Sequence, residues 1–368
     1  MFPVSSIRRF LLVGAAAVMV ATACGGTNTA SSSPSPVDVG SGSITGAGAT
    51  FPQPFYSKAF ADYMTKYSQV QVNYQSIGSG GGIKAFQANT VQFGASDVPM
   101  GSADITTAGG ADTLTQIPTT LGVISVTYNV SGVTGLNLDG TTLANIFLAH
   151  ITNWNDPAIA ALNSGVTFPN KAINVVHRSD SSGTTFHFTD YLAKVSPEFA
   201  SKILAGKGPA KLVSWPTREH GDSGNQAVAQ EITATDGSIG YVELAYVVQT
   251  GMSQAAIKNS NGKFIKASVA GATAAAAQNT SVSPTNFSIT NEPGDTTYPI
   301  AAFSWVILRT SYSDAGQGKA VAYLFKWLVT SGQSDGTDLQ YAPLPTAVQK
   351  LALDNLKTIK AAGAAVLP

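Results

Sequence analysis

Residues 54–67, PFYSKAFADYMTKY, repeat apolar side chains one helical turn apart at Phe55, Ala59, Tyr63 and Tyr67. Pro52 and Pro54 stand at the start, where a first turn tolerates proline, so the spacing predicts an amphipathic helix. Residues 70–75, VQVNYQ, alternate Val70, Val72 and Tyr74 and predict a strand. The glycine run GSGGG (78–82) reads as a loop, followed by a helical IKAFQANT (83–90) and a strand-like VQFGAS (91–96). A strand, a helix and a strand at this spacing form the repeating unit of a parallel sheet. The alternation continues with a buried strand at 121–130, a helix at 143–150, a strand at 173–177 and a helix over 183–194. Further on come a strand-like KLVSW (211–215), a helix at 224–234, a strand at 238–243 and a hairpin around NSNGK (259–263). The apolar YPIAAFSWVILRT (298–310) predicts a strand, with helices at 314–331 and 346–362 behind it. The fold class is α/β.

The N-terminal end departs from this pattern. Arg8 and Arg9 precede an apolar run over residues 10–20 that is too short to span a bilayer and reads as an export signal. Cys24, the only cysteine, follows Ala21, Thr22 and Ala23 and resembles the lipobox at which bacterial lipoproteins are cleaved and acylated. Ala21 stands where Leu or Val is usual, and an ordinary signal with an unused cysteine is the alternative. The paired arginines leave both the Sec and the Tat routes open. Residues 25–42, rich in Gly, Ser, Thr and Pro, cannot bury a core and read as a tether.

Composition narrows the function. Among 368 residues, 44% are hydrophobic and only 11% charged, with 21 basic and 21 acidic side chains and a formal net charge of +0. No nucleic-acid partner is expected, since that requires a basic excess, so an anionic ligand would have to be held locally. A single cysteine excludes an internal disulfide, and His150, His177, His187 and His220 lack metal-ligand spacing, so neither metal nor cofactor is expected.

Four segments combine glycine, hydroxyls and an isolated charge at loop–helix or strand–loop junctions: TGAGATFP (45–52), GSGGG (78–82), GASDVP (94–99) and HRSDSSGTT (177–185). Helix N-termini offer unpaired N–H groups and a dipole that favours an anion, glycine lets the ligand approach, and hydroxyls add donors. Arg178 and Asp180, two apart at the end of a predicted strand, suit an arginine fork oriented by a carboxylate; a surface ion pair is the alternative. Asp97 should repel an anion unless the ligand keeps a proton to donate. Phosphate does at neutral pH and sulfate does not, so the acid would reject sulfate; a turn cap before Pro99 is the alternative.

These residues resemble the periplasmic phosphate-binding proteins of ABC phosphate importers, the PstS family. The resemblance is carried by TGAGATFPQPFY, NYQSIGSGGGIKAFQANTVQFGASDVPM, GVISVTYNV, IFLAHITNWNDPAIAALN, RSDSSGTTFHFTDYLAKV, GSIGYVELAYV and LPTAVQ, and runs from about residue 44 almost to the C-terminus. It implies a class II, two-domain periplasmic binding protein fold, with a ligand cleft between domains joined by a two-strand hinge. The domains would be 43–118 plus 299–368 and 119–298, behind the signal at 1–24 and the tether. Carried across, the phosphate contacts would be Thr50, Phe51, Ser79, Asp97, Arg178, Ser182, Gly183 and Thr184, with Asp180 orienting the arginine. His177 departs from a frequent Arg, and WPTREHGDSGNQ (215–226) departs from a glycine-rich loop, placing the variation at the cleft rim and away from the ligand contacts.

The expected protein is a lipid-anchored, extracytoplasmic monomer that delivers inorganic phosphate to membrane permease subunits. The competing reading is a secreted hydrolase or phosphatase using Ser182 with His177 or His187 as base, although no recognised motif joins them. Arsenate is too similar to phosphate to separate at this level.

Overall fold

The computed structural model describes residues 37–216 and 220–368. The export signal, Cys24, residues 25–36 of the tether, and Arg218 and Glu219 lie outside the described residues.

The first half builds as strand β1 (Gly42–Gly48), helix α1 (Gln53–Lys66), β2 (Val70–Ser76), α2 (Ser79–Gln87), β3 (Phe93–Ser96), the short α3 (Ser102–Thr107) and β4 (Leu114–Asn129). β1 is a strand that apolar periodicity misses, because its buried residues include glycine and alanine as well as Ile44. It lies between β2 and β3 and is parallel to both, so the expected crossover unit is present with one strand inserted. Nor is the glycine run 78–82 a loop. α2 begins at Ser79 within it, because Gly82 lets the helix press onto the backbone of Ala47, Gly48 and Ala95 while Gly80 clears the Ser181 side chain, which overrules low helix propensity.

The second half carries β5 (Asn137–Leu138), α4 (Gly140–Phe147), α5 (Pro157–Ala161), β6 (Asn174–Arg178), α6 (Gly183–Val195), α7 (Pro197–Lys202), β7 (His220–Asp222) and α8 (Gly224–Ala234). It continues with β8 (Ser238–Glu243), α9 (Leu244–Thr250), β9 (Ser253–Gln254), the hairpin β10 (Ala256–Lys258) and β11 (Phe264–Ile265), and α10 (Val269–Ala276). The chain then returns through β12 (Ala301–Arg309), α11 (Ala315–Leu328) and α12 (Thr346–Leu356). KLVSW is not a strand; its Trp215 instead packs among Phe147, Phe199 and Tyr241. The last helix ends at Leu356, short of the expected 362, and the chain continues as extended pieces.

One mixed sheet runs β2-β1-β3-β12-β4-β8-β6-β7, with β9 also on β4. β4 is 16 residues long and buried along almost its whole length. Its first part, Leu114 to Val123, pairs with β12, and its second, Ile124 to Asn129, pairs with β8. Asp38–Pro368 is one compact unit, and among the described residues no helix is long and apolar enough to cross a membrane.

Candidate functional site

β6 ends on Arg178, whose side chain is buried at 2% exposure. Its Nε donates to Asp180 Oδ1 and its Nη2 to Asp180 Oδ2, both at 2.6 Å, so the two residues form the bidentate pair that their spacing suggests. Nη1 donates to Thr184 Oγ1 at 3.4 Å. Asp180 Oδ1 also accepts the Gly224 N–H at 3.1 Å. Burial alone would raise the Asp180 carboxyl, but hydrogen bonds and charge from Arg178, together with the Gly224 N–H, hold it below its ordinary value. Gly78 makes this approach possible: it sits at φ 82°, and a Cβ there would lie 2.2 Å from Asp180 Oδ2.

Asp97 follows β3 and is 1% exposed. Ser304 Oγ on β12 donates to its Oδ1 at 2.8 Å, and Ser79 Oγ lies 3.4 Å from its Oδ2. Burial pushes this carboxyl up to about 7, against the lowering effects of Ser304, the Arg178 charge and Ser79. His187 Nε2 donates to the Asp97 carbonyl at 2.8 Å, which fixes the backbone beneath the acid. Gly183, at the start of α6, comes close above it, and a Cβ there would lie 2.5 Å from Asp97 Cβ and 2.7 Å from Ser79 Oγ. No larger residue fits without parting these elements.

The N-terminal ends of four helices meet around these charges. Thr50 and Phe51 lead into α1, Ser79 opens α2, Gly183 and Thr184 open α6, and Gly224 and Asn225 open α8. Contacts link them: Gly183 N–H donates to Ser79 Oγ at 3.1 Å, Gly80 N–H to the Ser181 carbonyl at 2.9 Å, and Asn225 Nδ2 to Thr50 Oγ1 at 2.8 Å. Among the described residues, the Thr50 and Phe51 N–H groups meet no acceptor. The Phe51 carbonyl accepts from Tyr341 Oη at 2.6 Å, which anchors the turn.

Four hydroxyl oxygens of the cluster accept N–H groups. Thr50 Oγ1 accepts two N–H bonds from Asn225, Ser79 Oγ accepts from Gly183 and Asp97, Ser182 Oγ accepts from Thr185, and Thr184 Oγ1 accepts from Arg178 and Asn225. The Thr50 and Thr184 oxygens each take two N–H groups and keep only a proton to offer, whereas the Ser79 hydroxyl donates to Asp97 Oδ2 and the Ser182 oxygen takes a single N–H. The cluster is therefore rich in donors, with one guanidinium and one acceptor acid. Arg178 and Asp180 cancel in charge, so attraction for an anion comes from helix ends and aligned hydroxyls more than from net charge.

The structure thus brings together Thr50, Phe51, Ser79, Asp97, Arg178, Asp180, Ser182, Gly183 and Thr184. It adds residues that sequence reasoning missed. Asn225 is buried and bonded to Thr50 and Thr184, so the segment 215–226, expected only at the rim, also reaches the centre. Ser304 lies within an apolar strand, Tyr246 Oη donates to the Thr50 carbonyl at 2.6 Å, and Glu243 N–H is accepted by Asn225 Oδ1 at 3.0 Å. The one signal for Asn225 was a polar residue opening a helix after Gly224. His177 turns from the anion centre: its Nδ1 donates to the Arg178 carbonyl at 3.0 Å, its ring lies 5.3 Å from that of Trp215, and burial lowers its pKa. His220, Asp222 and Glu231 place possible ligand atoms within 4.8 Å of one another, but His220 is exposed and pairs with Asp222 as surface ions do.

Residues 33–329 match a PBP superfamily domain. The chain is 43% identical over 312 residues to the phosphate-binding protein PstS of Xylella fastidiosa (strain 9a5c), covering 83% of each. It is 44% identical over 309 residues to the phosphate-binding protein PstS of Pasteurella multocida (strain Pm70), covering 83% of this chain and 87% of that one. Among solved structures, it matches a periplasmic phosphate-binding protein (PfluDING) bound with phosphate, with a TM-score of 0.67 and 24% identity over 84% of this chain and 92% of that one. A phosphate-binding protein from Stenotrophomonas maltophilia gives a TM-score of 0.67 at 22% identity, over 85% and 94% of the two chains. These two structures bear on the fold, which is the two-domain fold of periplasmic binding proteins.

Proposed function

Because the chain belongs to the PBP superfamily and, within it, to the PstS phosphate-binding proteins, we propose that it is an extracytoplasmic protein that captures inorganic phosphate by cleft closure. It hands the ion to the permease subunits of an ABC importer. Residues 43–118 plus 299–368 form one lobe and 119–298 the other, and the chain crosses through β4 and again on entering β12. The observation that carries the reading is Arg178, buried and gripped through two hydrogen bonds by Asp180 beside the Thr184 hydroxyl.

In this reading the amides of Thr50 and Phe51, the hydroxyls of Thr50, Ser79, Ser182 and Thr184, the Gly183–Thr184 helix end and the Arg178 fork donate to phosphate oxygens. Asp97 accepts the remaining phosphate proton. Against ionised Asp97, sulfate, fully deprotonated, would face the carboxylate with no hydrogen between them, and an unmatched group in a dry site costs about 1–3 kcal/mol. Arsenate carries the same proton and passes the same check. The protein acts as a monomer, held to the membrane through acylated Cys24.

The hydrolase reading gains nothing from the relatives, which are named as binding proteins. The geometry also speaks against it: Ser182 Oγ caps its own helix, while His187 and His177 each hold a backbone carbonyl and neither contacts that serine. Isothermal titration of ligand-stripped protein tests the proposal. Phosphate should bind and sulfate should fail to compete, with no turnover of a phosphomonoester. Equal binding of the two anions would overturn it.

A further inference from the structure

We propose that Asn225 is a positioning residue that turns the Thr50 hydroxyl toward the ligand only when the lobes meet, so that closure itself completes the anion site. This inference rests on the phosphate-binding reading above.

Asn225 is the second residue of α8 and is fully buried, 175 positions from Thr50. Its Nδ2 donates to Thr50 Oγ1 at 2.8 Å and to Thr184 Oγ1 at 3.2 Å, and its backbone N–H donates to Thr50 Oγ1 at 3.1 Å. Its Oδ1 accepts the Glu243 N–H at 3.0 Å. That last bond fixes which end of the amide faces the hydroxyls, since turning it over would set an NH2 group against an N–H. With two N–H groups on its oxygen, the Thr50 hydroxyl keeps only its proton to offer. Thr50 comes from the first lobe and Asn225 from the second, so when the lobes separate both donors leave and the hydroxyl is free to rotate. Tyr246 Oη, on the Thr50 carbonyl, holds the same residue from the same side. One amide thus sets two ligand-facing hydroxyls at once, one from each lobe. A ligand that binds better to the closed form pulls the equilibrium toward it.

Two substitutions and a cycle test this. Asn225→Asp keeps the acceptor for the Glu243 N–H and nearly the same shape, but replaces the donor by an oxygen that draws both hydroxyl protons away from the ligand. We expect it to fold as the parent does and to bind phosphate at least about a hundredfold more weakly, since two donors to an ion are redirected and a negative charge is added. Asn225→Ala, which loses the donor without adding charge, should weaken binding by about tenfold or more, mostly through faster release because the contact exists only in the closed form. In a Thr50→Val background the Asn225→Ala effect should shrink markedly, which a purely structural role would not produce. A parent protein that binds no phosphate sinks this proposal together with the function. A parent that binds, beside an Asn225→Ala protein within about threefold of it or fully additive with Thr50→Val, sinks this proposal alone.

Discussion

Asp180 and Asp97 are the same side chain in the same site, and their surroundings drive them in opposite directions. Asp180 meets Arg178 through two hydrogen bonds of 2.6 Å and takes a third from Gly224, so it stays ionised despite its burial. Asp97 has hydroxyl partners and no direct cation, and burial pushes it up to about 7. One acid therefore serves as a fixed counter-charge that aims a guanidinium, and the other is poised where a single proton decides whether it donates or accepts. Their different roles were expected from the sequence; the three-dimensional partners supply the physical reason, a direct cation for one and burial without a direct cation for the other.

The largest effect should come from removing the cation that distinguishes the two acids. Arg178→Ala takes a fork from the ligand and leaves the Asp180 carboxylate buried without its partner. Phosphate affinity should fall by about 2–5 kcal/mol, or roughly thirtyfold to several thousandfold, with some loss of stability, as read by titration and thermal melting. An affinity within about threefold of the parent would place Arg178 outside the site.

Next comes Asp97, the acid proposed to accept the phosphate proton. Asp97→Asn keeps the shape and supplies an N–H to a bare sulfate oxygen, so the preference for phosphate over sulfate should narrow by about a hundredfold in competition titrations. Unchanged discrimination would assign the selection elsewhere.

The smallest effect is a pH dependence in the ligand-free protein. The folded-state value for Asp97, about 7, lies above its ordinary 3.8. Its contribution to stability is therefore fully present below the lower value and is lost as pH rises through about 7. Between about pH 5.5 and about pH 8 this removes about 2 kcal/mol, which Asp97→Asn should abolish. The comparison with the variant matters because His177 and His187, whose pKa values burial lowers, contribute the opposite slope at the acid end. Melting curves of parent and variant that keep the same pH slope would mean that Asp97 titrates as an ordinary carboxyl.

Local chemistry made much of this cluster readable in advance. Arg178 and Asp180 stand at strand spacing, Ser182 to Thr184 open a helix, and glycine marks the places where loops crowd together. Asn225 and Ser304 were not readable, because their roles depend on contacts made 175 and 207 positions away, and neither leaves a periodic trace. Ser304 looks like one small residue in an apolar strand, and its value comes only from β12 lying beside β3. The same limit explains β1 and the start of α2, where small residues chosen for close approach hide the usual pattern.

β4 carries a consequence for how the molecule comes apart. A single strand serves as the inner member of both halves of the sheet, paired with β12 up to Val123 and with β8 from Ile124 onward. Melting either half would strip one flank from the strand that the other half needs, so heat should undo the protein in one calorimetric step and not lobe by lobe.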